Sequence, residues 1–510
     1  MKKNDIILVL DFGSQYTQLI ARRIRDLKVY SEVHPFNMKI EEIKKLAPAG
    51  IILSGGPSSI YDKKPPLPDM RIFELGVPVL GICYGLQVIC RKYKGRIKAA
   101  DHREYGFARL NIQENAIFKG ITKQQTVWMS HGDKMASLPK NFSVIASTSN
   151  SKYAAIFGEK YNVYGVQFHP EVVHTKSGRA VLRNFIAICG ARRNWTAEAY
   201  IERTVREIRE EAGDKKVICG VSGGVDSTVA AALIYKAIGR QLTSVFVNNG
   251  VLRLKEEKKV IKMFKELKMP VRYVDEEAAF LKKLKGVSDP EKKRKIIGNY
   301  FIEVFDKEVK KLGKYDFLAQ GTIYPDMIES VSVKGPSVTI KSHHNVGGLP
   351  AKMKLKLIEP LKYLFKDEVR KIGRTMGLPE HVLMRQPFPG PGLAVRVLGD
   401  ITKEKLDVLR RADDIIVEEI KKAGLYHKIW QTFGVLLPVK TVGVMGDKRT
   451  YENALAVRAV NSKDAMTAEW VKLPYELLNI LSSRIINEVK GINRVVFDIS
   501  NKPPGTIEWE

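Results

Sequence analysis

Cysteine is scarce in this chain of 510 residues, which contains only Cys83, Cys90, Cys189 and Cys219. No two of them have the short spacing of a structural zinc site, and none belongs to a cluster with histidine. Four thiols in so long a chain do not form the disulfide framework that stabilises small secreted domains. The sequence therefore predicts neither a zinc site nor a disulfide-bonded fold, and it favours a reducing compartment.

Long apolar segments are also missing. No window approaches the roughly 20 consecutive apolar residues that span a membrane. Two lysines precede an apolar run near the N-terminus, but that run extends only from Ile6 to Leu10, which is too short for a signal peptide. These absences predict a soluble cytoplasmic protein with no membrane partner.

Acidic residues are too few to balance the basic ones, and the formal net charge is +29. Such a charge can indicate a nucleic-acid partner. However, the net charge is +13 in residues 1–190, +14 in 191–385 and +2 in 386–510, so no tail concentrates it. The densest runs, such as Lys255–Lys268, interleave acids with lysines, as solvated helix faces do. The charge therefore favours small polyanionic substrates such as nucleotides, and we expect no nucleic-acid partner.

Short apolar strands alternate with amphipathic helices through most of the chain. This alternation predicts α/β domains with mostly parallel sheets. The strand pattern stops near residues 191–194 and restarts at Lys216, and a stretch dense in proline and glycine follows at Gln386–Gly392. We therefore predict two doubly wound α/β domains and a smaller C-terminal α+β domain, at residues 1–192, 193–385 and 386–510.

The first chemical motif is Gly81-Ile82-Cys83-Tyr84-Gly85, between a predicted buried strand and a predicted helix. Its glycines permit a sharp turn that presents the Cys83 thiol at a helix N-terminus, where the dipole favours thiolate. Another predicted strand ends in His169-Pro170-Glu171, so His169 can accept the thiol proton and Glu171 can orient the imidazole. Gly55 and Gly56 are suited to offer backbone N–H groups to an oxyanion. The alternative is that Cys83 is a buried small apolar residue.

These segments resemble the class I glutamine amidotransferase family. The resemblance extends to Asp11–Tyr16 and Leu53–Pro57, and it covers most of residues 5–190. It implies hydrolysis of the glutamine side-chain amide through a thioester, with release of ammonia. Cys83 would be the nucleophile, His169 the base and Glu171 its orienting partner. The implied oxyanion and glutamine-binding residues are Gly56, Tyr84 and Gln87.

The second motif, Gly220–Thr228, reads GVSGGVDST and lies between a predicted strand and helix. Its glycines, hydroxyls and helix N-terminus suit phosphate oxygens. The lysine of GxxxxGK[ST] is missing, which disfavours a kinase or GTPase loop, and Asp226 can hold Mg²⁺. An ordinary glycine-rich turn is the alternative. The string resembles the PP-loop of ATP pyrophosphatases, which cleave ATP between its α- and β-phosphates. The implied ATP-binding residues are Ser222, Gly223, Gly224, Val225, Asp226, Ser227 and Thr228.

Two further segments in the same half carry charge. Lys341–Gly348 combines cations, a hydroxyl and glycines, which predicts a lid over the nucleotide with Lys341, His343 and His344 facing it. The adjacent histidines can also suggest a metal site, but no third ligand lies at metal-site spacing. The charges of Leu364–Arg370 either form surface ion pairs or reach the substrate.

The C-terminal segments Gln386–Gly392, Met445–Tyr451 and Ser500–Glu510 resemble the glutamine-hydrolysing GMP synthase family. With the preceding domains, the resemblance covers essentially the whole chain. It implies amination of XMP to GMP through adenylyl-XMP, with ATP cleaved to AMP and pyrophosphate. It also implies Mg²⁺ with ATP, no organic cofactor and a homodimer formed through the C-terminal domain. The implied XMP contacts are Arg294, Gln431, Arg494, Lys502, Ile507 and Glu508. One departure is Gln386, where the family usually has histidine.

Two other classes of function stay open at this point. A PP-loop enzyme that modifies tRNA would account for the charge, but it needs an RNA-binding extension or sulfur-carrying cysteines, and Cys219 is the only cysteine in that half. A glutamine sensor or scaffold would not need catalytic groups, so the intact Cys83, His169 and Glu171 argue against this class. A shift in tRNA mobility discriminates the first class. Release of AMP and pyrophosphate with XMP discriminates the second.

Overall fold

The structure is a computed structural model in which residues 6–330, 355–445, 447–462 and 467–510 are described, without the side chains of 99–103, 328–330 and 445. The chain divides into two compact units, one ending at Tyr200 and the other beginning at Ile201. Within the described residues, no helix combines the length and apolar character needed to cross a membrane.

The first unit is built on one mixed sheet, which has nine strands within the described residues. The strands are β1 (Ile6–Asp11), β2 (Tyr30–Pro35), β3 (Gly50–Leu53), β4 (Val79–Ile82), β5 (Arg96–Ile112), β6 (Gln124–Ser137), β7 (Ser143–Ser147), β8 (Ala155–Gly158) and β9 (Val163–Val166). The helices are α1 (Thr17–Asp26), α2 (Ile40–Leu46), α3 (Tyr84–Lys92) and α4 (Gly178–Ile188). The spatial order is β2-β1-β3-β4-β9-β8-β7-β5-β6, in which β2 to β9 pair parallel and the remaining neighbours pair antiparallel.

The central strands of this sheet are buried on both faces. In β1, Ile7 and Val9 belong to one apolar cluster, and Leu8 and Leu10 belong to a second one. Successive side chains of a strand point to opposite faces, so a strand buried on both faces has a continuous apolar sequence. The turns that follow β3, β4 and β9 meet at the carboxyl edge of the sheet, because these three strands are parallel neighbours.

The second unit begins within α5 (Ala197–Ala212) and contains a parallel sheet in the order β12-β11-β10-β13-β14. These strands are β10 (Val217–Gly220), β11 (Leu242–Asn248), β12 (Val271–Asp275), β13 (Phe317–Ala319) and β14 (Lys356–Ile358). The helices are α6 (Val225–Ile238), α7 (Glu256–Glu266), α8 (Glu277–Leu284), α9 (Pro290–Leu312), α10 (Tyr324–Ser330), α11 (Lys366–Thr375) and α12 (Glu380–Leu383).

A smaller sheet completes this unit. Its elements are α13 (Lys403–Lys422), β15 (Gln431–Met445), β16 (Lys448–Asn461), β17 (Glu469–Trp470), α14 (Tyr475–Glu488) and β18 (Ile492–Asp498). Strand β16 pairs antiparallel with β15 and β17 and parallel with β18. One apolar cluster contains Val247 of β11, Leu409 of α13 and Leu455 of β16, so both sheets share a core. The predicted α/β class is confirmed, and the boundary at 385/386 stays a prediction within this unit.

Candidate active site

Cys83 lies in the sharp turn between β4 and α3. Its φ is +52° and its ψ is −101°, a conformation that a residue with a side chain rarely adopts. The backbone N–H of Cys83 donates to the carbonyl of Val166 at 2.8 Å, which ties the turn to β9. The turn therefore has the geometry expected of a nucleophile elbow, with the thiol at the N-terminus of α3.

Positions 81 and 85 on either side of Cys83 both require glycine, because a side chain at either position would collide with neighbouring backbone. A Cβ on Gly81 would lie 2.5 Å from the carbonyl group of Gly85, and a Cβ on Gly85 would lie 2.4 Å from the carbonyl oxygen of Leu53. The N–H of Gly85 also donates to the carbonyl of Ser54 at 3.1 Å. The two glycines of GxCxG thus allow the start of α3 to pack against β4 and against the end of β3.

A histidine and a glutamate approach the thiol from the end of β9. The Nδ1 of His169 lies 2.7 Å from Oε1 of Glu171, and both side chains are buried. The imidazole of His169 is also close enough to the Cys83 thiol for the two groups to interact. The ring of Tyr16 packs edge-on against His169, with centroids 5.4 Å apart. The structure therefore brings Cys83, His169 and Glu171 together in that order.

The charge of Glu171 makes His169 a strong base. Burial opposes the charged imidazolium, but the Glu171 carboxylate and the hydrogen bonds with Cys83 and Glu171 outweigh it and raise the pKa of His169 to about 10. Burial raises the pKa of the Cys90 thiol and of the Cys219 thiol to about 12. Those two thiols stay protonated at neutral pH, which fits a structural role.

The groups predicted to hold an oxyanion surround the thiol. Within the described residues, the backbone N–H groups of Gly56 and Tyr84 donate to no protein acceptor. A Cβ on the neighbouring Gly55 would lie 3.1 Å from Cε1 of His169 and 3.7 Å from Cβ of Cys83. The predicted glutamine-binding Gln87 is buried, and its Oε1 has no partner within the described chain. The arrangement leaves polar groups directed at a small polar substrate.

A second buried histidine–carboxylate pair lies on neighbouring strands. The Nε2 of His131 on β6 lies 3.1 Å from Oε2 of Glu104 on β5, and Thr148 donates to the other carboxylate oxygen at 3.2 Å. The residue before His131 is Ser130, whose carbonyl lies 3.6 Å from Sγ of Cys83. This pair chemically resembles His169–Glu171, but it contacts the thiol only through the adjoining backbone.

In the second unit, the predicted phosphate loop joins β10 to α6. Ser222 and Ser227 share a hydroxyl–hydroxyl hydrogen bond of 3.1 Å, and Ser227 also donates to the carbonyl of Gly224 at 3.2 Å. The hydroxyl of Thr228 donates to the same carbonyl at 2.7 Å, and Thr228 is fully buried. Thr228 therefore stabilises the loop from beneath, while Ser222 lies on its exposed side.

Asp226 lies in the first turn of α6, and Lys366 from the first turn of α11 forms an ion pair with its Oδ2. The Oδ1 of Asp226 is buried and has no partner within the described chain. A carboxylate oxygen that has no protein partner and lies beside a phosphate loop suits a Mg²⁺ that is also bound by phosphate oxygens. No group of three or more His, Cys, Asp or Glu in the described part of the chain could hold a metal by itself.

A cavity of about 880 Å³ opens in the second unit, a volume that accommodates a nucleotide. Its walls combine cations with aromatic rings. These residues include Arg370, Arg385, Tyr426, Lys428, Trp430 and Lys502. Of the predicted XMP contacts, only Lys502 lines this cavity.

The other predicted XMP contacts occupy several places. Glu508 accepts two hydrogen bonds of 2.9 Å from the buried Arg396 and one of 2.9 Å from Gln431. The carbonyl of Ile507 accepts from Arg458 at 2.8 Å. Arg294 donates to the carbonyl of Glu510 at 2.5 Å, close to this group along the chain.

Arg494 lies on β18 and is exposed. Within the described residues, no hydrogen bond joins it to the other predicted XMP contacts. The predicted lid residues Lys341, His343 and His344 lie outside the described part of the chain.

Sequence reasoning left Lys366 undecided and missed Arg385. The chemistry of the loop gave a partial signal for Lys366, because a phosphate loop without its own lysine needs a cation from elsewhere. Nothing in the sequence around Arg385 indicates that its side chain contacts the loop.

Three regions of the chain match known protein families. Residues 8–189 match glutamine amidotransferase class-I, residues 197–299 match NAD synthase, and residues 418–509 match the GMP synthase C-terminal domain. Proteins named GMP synthase [glutamine-hydrolyzing] align over 99% of both chains. They are 59% identical in Brachyspira hyodysenteriae, 57% in Aquifex aeolicus and 58% in Chlorobaculum tepidum.

Proposed function

This chain belongs to the glutamine-hydrolysing GMP synthase family, and we propose how its residues divide that family's reaction. It is a carbon–nitrogen ligase that makes GMP with glutamine as the amido donor. We assign glutamine hydrolysis to the first unit and activation of XMP by ATP to the second. The observation that carries the assignment is the strained Cys83 turn beside the buried His169–Glu171 pair.

Glutamine hydrolysis begins when the thiolate of Cys83, whose proton is held by the imidazolium of His169, attacks the side-chain amide carbon. The N–H groups of Gly56 and Tyr84 stabilise the oxyanion. The protonated His169 then gives its proton to the departing nitrogen, and ammonia leaves a thioester on Cys83. Water hydrolyses the thioester to glutamate and restores the thiol. Glu171 stabilises the imidazolium during both steps, and Gln87 lies close to the bound glutamine.

ATP binds at the loop Ser222–Thr228, where backbone N–H groups and hydroxyls meet the phosphates. Asp226 would contribute an oxygen to Mg²⁺, which would neutralise phosphate charge when bound with ATP. Lys366 supplies the cation that the loop itself lacks. A carbonyl oxygen of the XMP purine attacks the α-phosphorus, and pyrophosphate leaves. Ammonia then adds to the activated carbon, and AMP departs to give GMP.

We propose that XMP binds between the basic cavity and the C-terminal segment. Lys502, on the cavity wall, suits the phosphate of the nucleotide. Glu508, held by Arg396 and Gln431, suits the edge of the purine. Ile507, Arg294 and Arg494 stay proposed contacts on the strength of the family resemblance.

We propose that the chain forms a homodimer through the hairpin of β15 and β16. Val442, Val444 and Tyr451 are 51%, 72% and 62% exposed, and Val442 pairs with Tyr451 across the hairpin. An apolar strip of this kind on a soluble chain is typical of an association surface. Sedimentation of the intact protein should give twice the mass of one chain, and Tyr451→Asp should shift it toward the monomer. The four unpaired cysteines favour the reducing cytoplasm as its compartment.

The experiment that tests this function supplies XMP as the only acceptor, with ATP, Mg²⁺ and glutamine. We expect GMP, AMP, pyrophosphate and glutamate in equal amounts. IMP is the matched control, because it lacks the purine oxygen that ATP activates, and it should give no pyrophosphate. Release of ADP and phosphate, or equal turnover with IMP, would contradict the proposal.

A further inference from the structure

Arg385 lies between the phosphate loop and the basic cavity. Its Nη1 donates to the carbonyl of Gly223 at 3.0 Å, and its Nη2 forms an ion pair with the buried Glu256 at the start of α7. Arg385 is also one of the residues that line the cavity, and its side chain is 20% exposed. Its guanidinium therefore contacts the loop and a buried carboxylate, in a residue that also borders the space where an acidic ligand would bind.

The hydrogen bond from Arg385 to the carbonyl of Gly223 fixes the orientation of the peptide bond between Gly223 and Gly224. The carbonyl of Gly223 and the N–H of Gly224 belong to one planar trans peptide, so they point in opposite directions. In this structure the N–H of Gly224 points to the Ser222 hydroxyl, at 3.3 Å. A Cβ on Gly223 would lie 2.4 Å from Val260 of α7 and 3.5 Å from Nη1 of Arg385, so α7 and Arg385 both pack against the loop at Gly223. Arg385 thus sets the orientation of a loop N–H that ATP phosphate would meet.

The backbone at Arg385 is held by the cavity wall. The side-chain amide of the next residue, Gln386, donates to the carbonyls of Tyr426 and Ile429 at 3.0 and 3.2 Å and accepts from the N–H of Thr432 at 2.9 Å. Tyr426 and Ile429 line the cavity. Because Gln386 directly follows Arg385 and is hydrogen-bonded to this wall, a shift of the wall also moves the backbone of Arg385.

We propose that Arg385 couples the two nucleotide sites, so that an anionic nucleotide in the cavity strengthens ATP binding at the loop. A guanidinium has five N–H donors, and the contacts with Gly223 and Glu256 leave donors for a cavity ligand. A ligand that uses them immobilises Arg385 in the position that holds the Gly223 carbonyl. The loop is then already ordered when ATP binds. By thermodynamic linkage, ATP should strengthen the binding of the cavity ligand by the same factor. Arg385 is a positioning residue in this account, which rests on the proposed function.

Calorimetry without turnover tests the coupling. The intact protein with Mg²⁺ is titrated with α,β-methylene-ATP, which cannot be cleaved at the reacting bond, in the absence and presence of saturating XMP. Wild-type Kd should fall about fivefold or more when XMP is present, the lower range of measured couplings. In Arg385→Gln the ratio of the two Kd values should approach one. Arg385→Lys keeps the charge without the planar fork and should retain part of the ratio.

Arg374→Gln is the matched control, because Arg374 is an exposed arginine of α11 that pairs with Glu380. It should keep the wild-type ratio. Wild-type coupling in Arg385→Gln would overturn the inference, and so would the absence of coupling in the wild type. The proposed function fails separately, through the XMP-dependent release of pyrophosphate. If Arg385→Gln does not fold, the ratio in Arg385→Lys decides, and an unchanged ratio there also overturns the inference.

Discussion

Replacing Glu171 by glutamine should disable glutamine hydrolysis while leaving the fold of the site in place. Glutamine keeps the shape and the hydrogen-bonding reach toward Nδ1 of His169, 2.7 Å away, but it removes the negative charge. A pKa of about 10 for His169, against the ordinary 6.5, corresponds to about 5 kcal/mol in favour of the imidazolium. Without the carboxylate, burial lowers the pKa of His169, so the imidazole becomes a weak base.

The expected loss in kcat for glutaminase is about 10²- to 10⁴-fold, the usual contribution of a positioned acid–base group. GMP synthesis from ammonium salt should stay close to wild type, because it bypasses the thiol. Glu104→Gln is the matched control, since it makes the same change in the other buried histidine–carboxylate pair, and it should cost less than about tenfold.

The pH dependence of stability gives a second readout. Because the folded pKa of His169 lies above its unfolded value, the pair stabilises the fold fully below about pH 6.5 and loses this contribution as pH rises toward 10. The difference in unfolding free energy between wild type and Glu171→Gln should therefore shrink between pH 7 and 10. Glutaminase within tenfold of wild type, or equal loss with both nitrogen donors, would refute the assignment.

Three further changes separate the two sites. Cys83→Ala should abolish synthesis from glutamine and spare synthesis from ammonium, measured as GMP formed, and parallel loss with both donors would show that the sites are not separate. Asp226→Ala should remove XMP-dependent pyrophosphate release, and near-normal release at saturating Mg²⁺ would exclude its role. Lys366→Met removes a charge-assisted contact of about 1.5–3 kcal/mol, so the KM for ATP should rise about 10- to 150-fold. An unchanged KM would leave Lys366 as a surface ion pair.

Local patterns predicted the core of the first unit and its chemistry. The β3 strand runs from Gly50 to Leu53, as its apolar run predicts, because a strand buried on both faces has to be apolar throughout. Cys83 lies directly after such a strand, β4, and His169 and Glu171 lie three and five residues after another, β9. Their convergence could be predicted because parallel strands end at the same edge of a sheet.

Contacts between distant segments could not be predicted in the same way. Lys366 is 140 residues from Asp226 and Arg385 is 162 from Gly223, and no periodic pattern records such pairs. The lengths of long hairpin strands are also hard to predict. The apolar pattern predicts only a short strand at Val439–Val444, whereas β15 runs from Gln431 to Met445 through a bulge near Leu436. Half-exposed strands with bulges lack the continuous apolar sequence that marked β3.

The three backbone partners of the Gln386 amide restrict which side chains can occupy position 386. Two of them are carbonyls and one is an N–H, so the position needs two donors and one acceptor in one side chain. A neutral imidazole has one of each, and it would leave a buried carbonyl unpaired at about 1–3 kcal/mol. A histidine at this position would therefore need a different arrangement of the turn at residues 426–432, and we expect the two segments to change together among homologues.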